Sequence, residues 1–191
     1  MRARDNPFRT DRVLTVRYRL PGSWDELLSR FEAAAWRGAI VGPQGSGKTT
    51  LLEDLAPRIR QAGFAVRDLR LDTETPRFVP GFLDGFTASL GTRDVILFDG
   101  AEQLGREEWG RFERRTRAAG GLVITCHRPG LLPTLIETST TPELLGGLVD
   151  QILGDRAVEV RPLMPALFEK HRGNLREALR ELYDRYAEIE G

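Results

Sequence analysis

Residues 42–49 read Gly-Pro-Gln-Gly-Ser-Gly-Lys-Thr, and each position in that stretch has a definite chemical task. The spacing is G-x-x-x-x-G-K-T, the pattern of a loop that wraps phosphate groups. Gly42, Gly45 and Gly47 permit turns that a Cβ would obstruct, so that successive backbone N–H groups converge on phosphate oxygens. Lys48 brings a slim cation toward the β- and γ-phosphates, and the Thr49 hydroxyl is placed to ligate Mg²⁺. We read Lys48 as solvent-facing, with no part in core packing. The nucleotide-binding positions are therefore Gly42, Pro43, Gln44, Gly45, Ser46, Gly47, Lys48, Thr49 and the adjoining Thr50. The flanks suit the loop. Ala39-Ile40-Val41 is an apolar run fit for a buried strand, and Thr50 to Leu55 opens a helical pattern whose N-terminus adds partial positive charge.

Composition sharpens this reading. Of 28 Lys and Arg residues only Lys48 and Lys170 are lysines. A chain that uses Arg almost everywhere keeps Lys inside the loop, where a planar guanidinium could not thread beside phosphates. The chain has 191 residues, 40% of them hydrophobic, enough for one substantial domain or one domain with a small appendage. A formal net charge of +0 gives no indication of nucleic acid or a membrane as partner. Cys126 is the only cysteine, which excludes an intramolecular disulfide and fits a reducing compartment. With no apolar signal core at the N-terminus and no run of spanning length, the expectation is a cytoplasmic protein.

The elements that must position the loop alternate. Residues 1–22 read as irregular or extended, with Val13, Leu14, Val16, Tyr18 and Leu20 in partial alternation. Ser23 and Glu26 form the capping-box pattern for a helix through about Trp36. A helix follows the loop to about Ala62. Then come a strand over Phe64–Leu71, a turn-rich stretch, a helix over Phe82–Leu90 and a strand over Asp94–Asp99. A charged helix from Glu102 to about Ala119 precedes the strand Leu122–Thr125. Leu132–Thr138 reads as a fifth strand. Beyond it the chain reads as helical over Pro142–Leu153, Met164–His171 and Asn174–Glu190, with a short extended piece at Ala157–Val160. Alternating strands and helices specify an α/β three-layer sandwich around a central parallel sheet. The expected division is a nucleotide-binding core with an N-terminal extension over residues 1–140 and a small, mainly helical lid over 141–191.

A phosphate loop needs a metal-holding acid at the end of a neighbouring strand. Val95-Ile96-Leu97-Phe98-Asp99 supplies it: four apolar residues, then a carboxylate. Asp72 is the rival, but Arg67, Asp68 and Arg70 make its strand too polar for a sheet centre. We therefore assign the metal to Thr49 and Asp99. Zinc is excluded as a resident metal, since one Cys and two His cannot furnish its usual ligands.

With one full strand–helix unit between loop and acid, the chain resembles the additional-strand division of P-loop NTPases, which includes the AAA+ and STAND ATPases. The resemblance runs from about Trp36 to Glu190, although only the phosphate loop is highly specific. It implies that the strand after Asp99 ends in a polar sensor, which places Thr125 in that role, with His127 and Arg128 as neighbours. Gly173-Asn174-Leu175-Arg176 looks like the G-N-x-R start of a lid helix, which implies that Arg176 reaches back to the phosphates. An amphipathic helix opened by an Asn cap accounts for the same residues. The lid is short for the family, so a ring is not implied.

The pattern departs from the resemblance at one point. Many of these ATPases follow the metal aspartate with a glutamate that activates water, whereas this chain reads Asp99-Gly100-Ala101-Glu102. Glutamate installed at position 100 is expected to speed hydrolysis. Glu102, three residues past the aspartate, is the candidate substitute base, and stabilisation of the first turn of the next helix accounts for it equally. No arginine finger can be named; Arg111, Arg114, Arg115 and Arg117 read as a solvated helix face. The expected protein binds ATP with Mg²⁺, hydrolyses it slowly or under stimulation by a protein partner, and uses Lys48, Glu102, Thr125 and Arg176 catalytically. A nucleotide-dependent switch without significant hydrolysis and a small-molecule kinase are the alternatives.

Overall fold

The computed structural model describes residues 6–8, 20 and 22–189. Most of the alternation expected before Pro21 thus lies outside the described residues. The chain divides into two compact units. One contains residues 22–42 and Lys48–Glu137; the other contains residues 6–8, Pro43–Gly47 and the chain from Thr138 onward.

The first unit is the sheet and its helices. Its elements in chain order are α1 (Trp24–Ala33), β1 (Arg37–Val41), α2 (Lys48–Gln61), β2 (Ala65–Arg70), α3 (Phe82–Ala88), β3 (Asp94–Asp99), α4 (Arg106–Arg115), β4 (Gly121–Cys126) and β5 (Thr134–Glu137). The five strands are all parallel, in the order β2-β3-β4-β1-β5. A parallel strand covered on both faces reads as a continuous apolar run. β4 is buried at every position, and Val95 to Phe98 of β3 are buried in sequence. The polar β2 takes an edge, where Arg67, Asp68 and Arg70 meet solvent without cost to the core. Ile96, Phe98, Leu122 and Ile124 face Trp109 and Phe112 of α4, with Leu83 and Phe86 of α3 packed alongside. Leu51, Leu52, Leu55 and Ile59 of α2 are buried as well, and α2 packs against β1 to β4. The result is the expected sheet flanked by helices.

Local signals set the element ends. Ser23 Oγ accepts the Glu26 N–H at 3.1 Å while the Glu26 carboxylate accepts the Ser23 N–H at 3.1 Å, the reciprocal box that starts α1. The single charged helix expected after β3 is in fact two pieces. A 3₁₀ turn spans Ala101–Gln103, and α4 begins only at Arg106, where the Glu108 carboxylate takes up the Gly105 N–H at 3.0 Å.

The second unit is mainly helical: α5 (Pro142–Leu153), α6 (Ala157–Val160), α7 (Met164–Lys170) and α8 (Leu175–Ile189). Its core joins Leu145, Val149, Met164, Leu167, Ala178, Leu182 and Tyr186. Residues 157–160 are helical, which corrects the extended reading. Val158 and Val160 gave a strand-like alternation, yet β-propensity is realised only against a partner strand. Here Ala157 is buried among helices and Val158 is 73% exposed. The N-terminal residues Asn6 and Phe8 join the same core. Asn6 Nδ2 donates to the Tyr183 carbonyl at 2.8 Å, and the Phe8 ring meets Tyr186 edge-on at 5.2 Å.

Candidate nucleotide site

Asp99 ends β3 and its carboxylate is held from two sides. Thr49 Oγ1, in the first turn of α2, donates to Oδ2 at 2.9 Å, and Thr125 Oγ1, near the end of β4, donates to Oδ1 at 2.7 Å. The Thr125 hydroxyl in turn accepts the Gly100 N–H at 2.8 Å, so one buried threonine fixes both the side chain of Asp99 and the backbone after it. Asp72 has different work. It lies beyond β2, and its Oδ1 accepts from the Glu74 N–H, the Thr75 N–H and the Thr75 hydroxyl at 2.7–2.9 Å. The Thr75 N–H, then the Thr75 hydroxyl, hold its carboxyl below the usual carboxylate range. That is a turn-forming aspartate.

Lys48 corrects the solvent-facing reading. The residue is only 7% exposed, and its Nζ donates to the Gly42 carbonyl at 2.8 Å. Its ammonium is therefore drawn across the loop mouth rather than left in water. Gly42 also donates its N–H to the Cys126 carbonyl at 3.1 Å, tying the loop entrance to β4. Positive φ, which glycine alone adopts freely, occurs at Gly45 (75°) and Gly47 (85°). Thr50 follows on α2, half-buried.

Segment 43–47 belongs to the helical unit, where Thr138, which sequence reasoning gave no role, and Asn174, read only as a helix cap, meet it. Ser46 Oγ and Thr138 Oγ1 lie 2.6 Å apart, both residues buried. At Gly45 a Cβ would stand 2.1 Å from Asn174 Oδ1. The same Asn174 oxygen accepts the Glu177 N–H at 3.2 Å, capping α8. The cap was legible from sequence; the glycine contact was not. Arg176 lies exposed in the first turn of α8, and Pro43 and Gln44 are exposed.

The second acid sits on the 3₁₀ turn. Glu102 Oε1 is 3.2 Å from His127 Nε2, while Oε2 is a buried oxygen with no hydrogen-bond partner among the described residues. Buried Cys126 registers the charges around it. Desolvation and then the negative charge of Glu102 raise its thiol pKa, and Lys48 opposes them.

Gly100 explains the departure in the acidic motif. It holds φ +88°, and a Cβ there would stand 2.0 Å from the Leu71 carbonyl oxygen. The expectation that glutamate at 100 would speed the reaction is therefore overturned: no side chain fits. The backbone at Leu71, one residue past β2, favours glycine at this position, and an acid enters only further along the turn.

The donor set suits a hard divalent cation. One carboxylate and one hydroxyl oxygen, Asp99 Oδ2 and Thr49 Oγ1, lie side by side. Mg²⁺ takes few protein oxygens and fills its shell with water and phosphate. Among the described residues no group of three or more His, Cys, Asp or Glu could enclose a metal alone, and no helix is long and apolar enough to cross a membrane.

No family model matches the chain, and no curated protein matches it. Solved structures do. A point variant of RuvB from Thermotoga maritima superposes with a TM-score of 0.52 at 20% identity, covering 83% of this chain and 58% of that one. A second Thermotoga maritima structure, described as the RuvB Holliday junction branch migration motor, gives 0.50 at 17% identity and covers 84% and 60%. This is a RuvB-like P-loop fold. The chain spans about three fifths of the length of these neighbours, and the likeness is one of fold.

Proposed function

We propose that this chain is an ATP-binding P-loop protein of the additional-strand division, of the AAA+/STAND kind, with Mg²⁺-dependent ATP hydrolysis that is slow or stimulated by a protein partner. One observation carries the reading: Thr49 of the loop helix and Thr125 of β4 hold the two oxygens of Asp99 at the end of β3. The strand order supports it, because β4 lies between loop-bearing β1 and acid-bearing β3. Buried Cys126 is consistent with a cytoplasmic setting.

In this reading the amides of residues 44–49 and the Lys48 ammonium neutralise the β- and γ-phosphates. Lys48 exchanges its bond to the Gly42 carbonyl for phosphate oxygen. Thr49 and Asp99 would hold Mg²⁺, which would supply positive charge to offset that developing on the phosphates. Thr125 keeps Asp99 oriented and reports on its ligand through the Gly100 amide. Glu102, with an oxygen left unpaired, takes the proton of the attacking water. Arg176, on the helix whose cap meets Gly45, serves as the second sensor.

A switch without significant hydrolysis is the second reading. The packing of Asn174 on Gly45 favours it, since a nucleotide that reshapes the loop would move the cap of α8. Phosphate release from Mg·ATP with no acceptor present separates the two. Steady release supports the ATPase, while tight binding with no release supports the switch. Absence of binding contradicts both.

A further inference from the structure

Glu102 reaches its place because Gly100, at φ +88°, turns the chain back on itself after Asp99. The turn Ala101–Gln103 then packs on β4, at whose end Thr125 and His127 stand two residues apart. Thr125 engages Asp99 and His127 engages Glu102, so the end of one strand holds both acids. The two oxygens of Glu102 are unequal. Oε1 has the imidazole Nε2 at 3.2 Å, while Oε2 is buried and has no donor among the described residues. Buried polar atoms are almost always paired, and one left over calls for an explanation.

We infer that His127 is the positioning residue for the general base: its imidazole holds Glu102 Oε1 and so presents Oε2 to the attacking water. This rests on the ATPase reading above. The water oxygen bonds to the γ-phosphorus as the bond to the β,γ-bridging oxygen breaks. ADP departs with that electron pair, the water proton passes to Oε2, and Glu102 later releases it to solvent beside inorganic phosphate. His127 touches neither water nor nucleotide; it acts by denying the carboxylate rotation. Burial and then Glu102 raise the Cys126 thiol pKa, while its hydrogen bond to the Arg128 carbonyl and Lys48 oppose them. Thr125 and Asp99 are committed to each other, so among the described side chains at this corner Glu102 is the acid with a free buried oxygen.

A merely structural contact with an imidazole 43% exposed would change melting temperature at most; a positioning pair changes turnover. The test measures single-turnover rate, ATP KM, Mg·ATP affinity and melting for wild type, Glu102→Gln, His127→Ala, His127→Gln and the double variant Glu102→Gln/His127→Ala. Glu102→Gln is expected to slow the rate by about 100-fold or more with affinity kept. His127→Ala is expected to slow it by about tenfold with KM unchanged. His127→Gln, whose amide donates from nearly the same place, restores most of the loss, and the double variant is no slower than Glu102→Gln alone. In the nucleotide-free protein the His127 ring ¹⁵N signals shift on Glu102→Gln. A His127→Ala rate within twofold of wild type, or ring signals indifferent to Glu102→Gln, overturns the inference while leaving the ATPase reading intact. A wild type that binds Mg·ATP without releasing phosphate, or does not bind it, overturns the ATPase reading and this inference with it.

Discussion

The carbonyl oxygen of Leu71 would lie 2.0 Å from any Cβ placed on Gly100. Leu71 donates its N–H to the Asp99 carbonyl at 2.9 Å, which fixes the segment just past β2 against the end of β3. Glycine at this position is a steric requirement of the sheet, and the acid displaced from it reappears at Glu102.

Gly100→Ala is therefore expected to destabilise the protein by about 2–5 kcal/mol, combining left-handed strain with overpacking. Gly100→Glu is expected to cost at least as much and to give no gain in turnover. Denaturant melts of both variants check this. A stable Gly100→Glu protein with faster hydrolysis would mean that the turn after Asp99 is misread.

Asp99→Asn is expected to abolish most of the Mg²⁺ dependence of ATP binding, whereas Asp72→Asn leaves it in place. The Asp99 carboxylate is adjacent to the loop threonine, while Asp72 is spent on a turn. Nucleotide titration with and without Mg²⁺ distinguishes them. Loss of the metal effect in Asp72→Asn alone would contradict the assignment.

Glu181 of α8 is held by Lys170, His171 and Arg185, in that order of effect, and its carboxyl is lowered to about 2. A depressed acid stabilises the folded state above its unfolded value, and that contribution is lost as pH falls through the folded value. Its contribution should be complete above about pH 4.5 and fade toward pH 2. Glu181→Gln should accordingly melt earlier than wild type at pH 7, with the gap closing across that window. A gap that persists at pH 2 would show that packing, not charge, is at work.

Much of the fold was legible because buried parallel strands write continuous apolar runs, as Val95 to Phe98 do, and because the polar residues of β2 announce an edge. The candidate site was legible where spacing carries mechanism, in the loop and at the strand-ending Asp99. What stayed hidden depends on long-range contact. Nothing local marks Asn6 and Phe8 as core residues, since their partners Tyr183 and Tyr186 lie at the other end of the sequence. Lys48 read as solvent-facing because its burial depends on how the loop folds around the Gly42 carbonyl. Gly100 read as a missing acid because the Leu71 carbonyl that crowds a side chain comes from a segment distant in sequence, just past β2.

The central claim is that residues 42–49 bind the phosphates of ATP through Lys48. Titration of Mg·ATP into wild type, Lys48→Ala and Lys48→Met, each beside a thermal melt, tests it most directly. Lys48→Met keeps the aliphatic stem of a residue that is only 7% exposed, so it separates lost charge from lost packing. The account predicts that wild type binds and that both folded variants lose affinity by more than about tenfold, about 1.4 kcal/mol. Equal affinity in a folded Lys48→Met protein would contradict it.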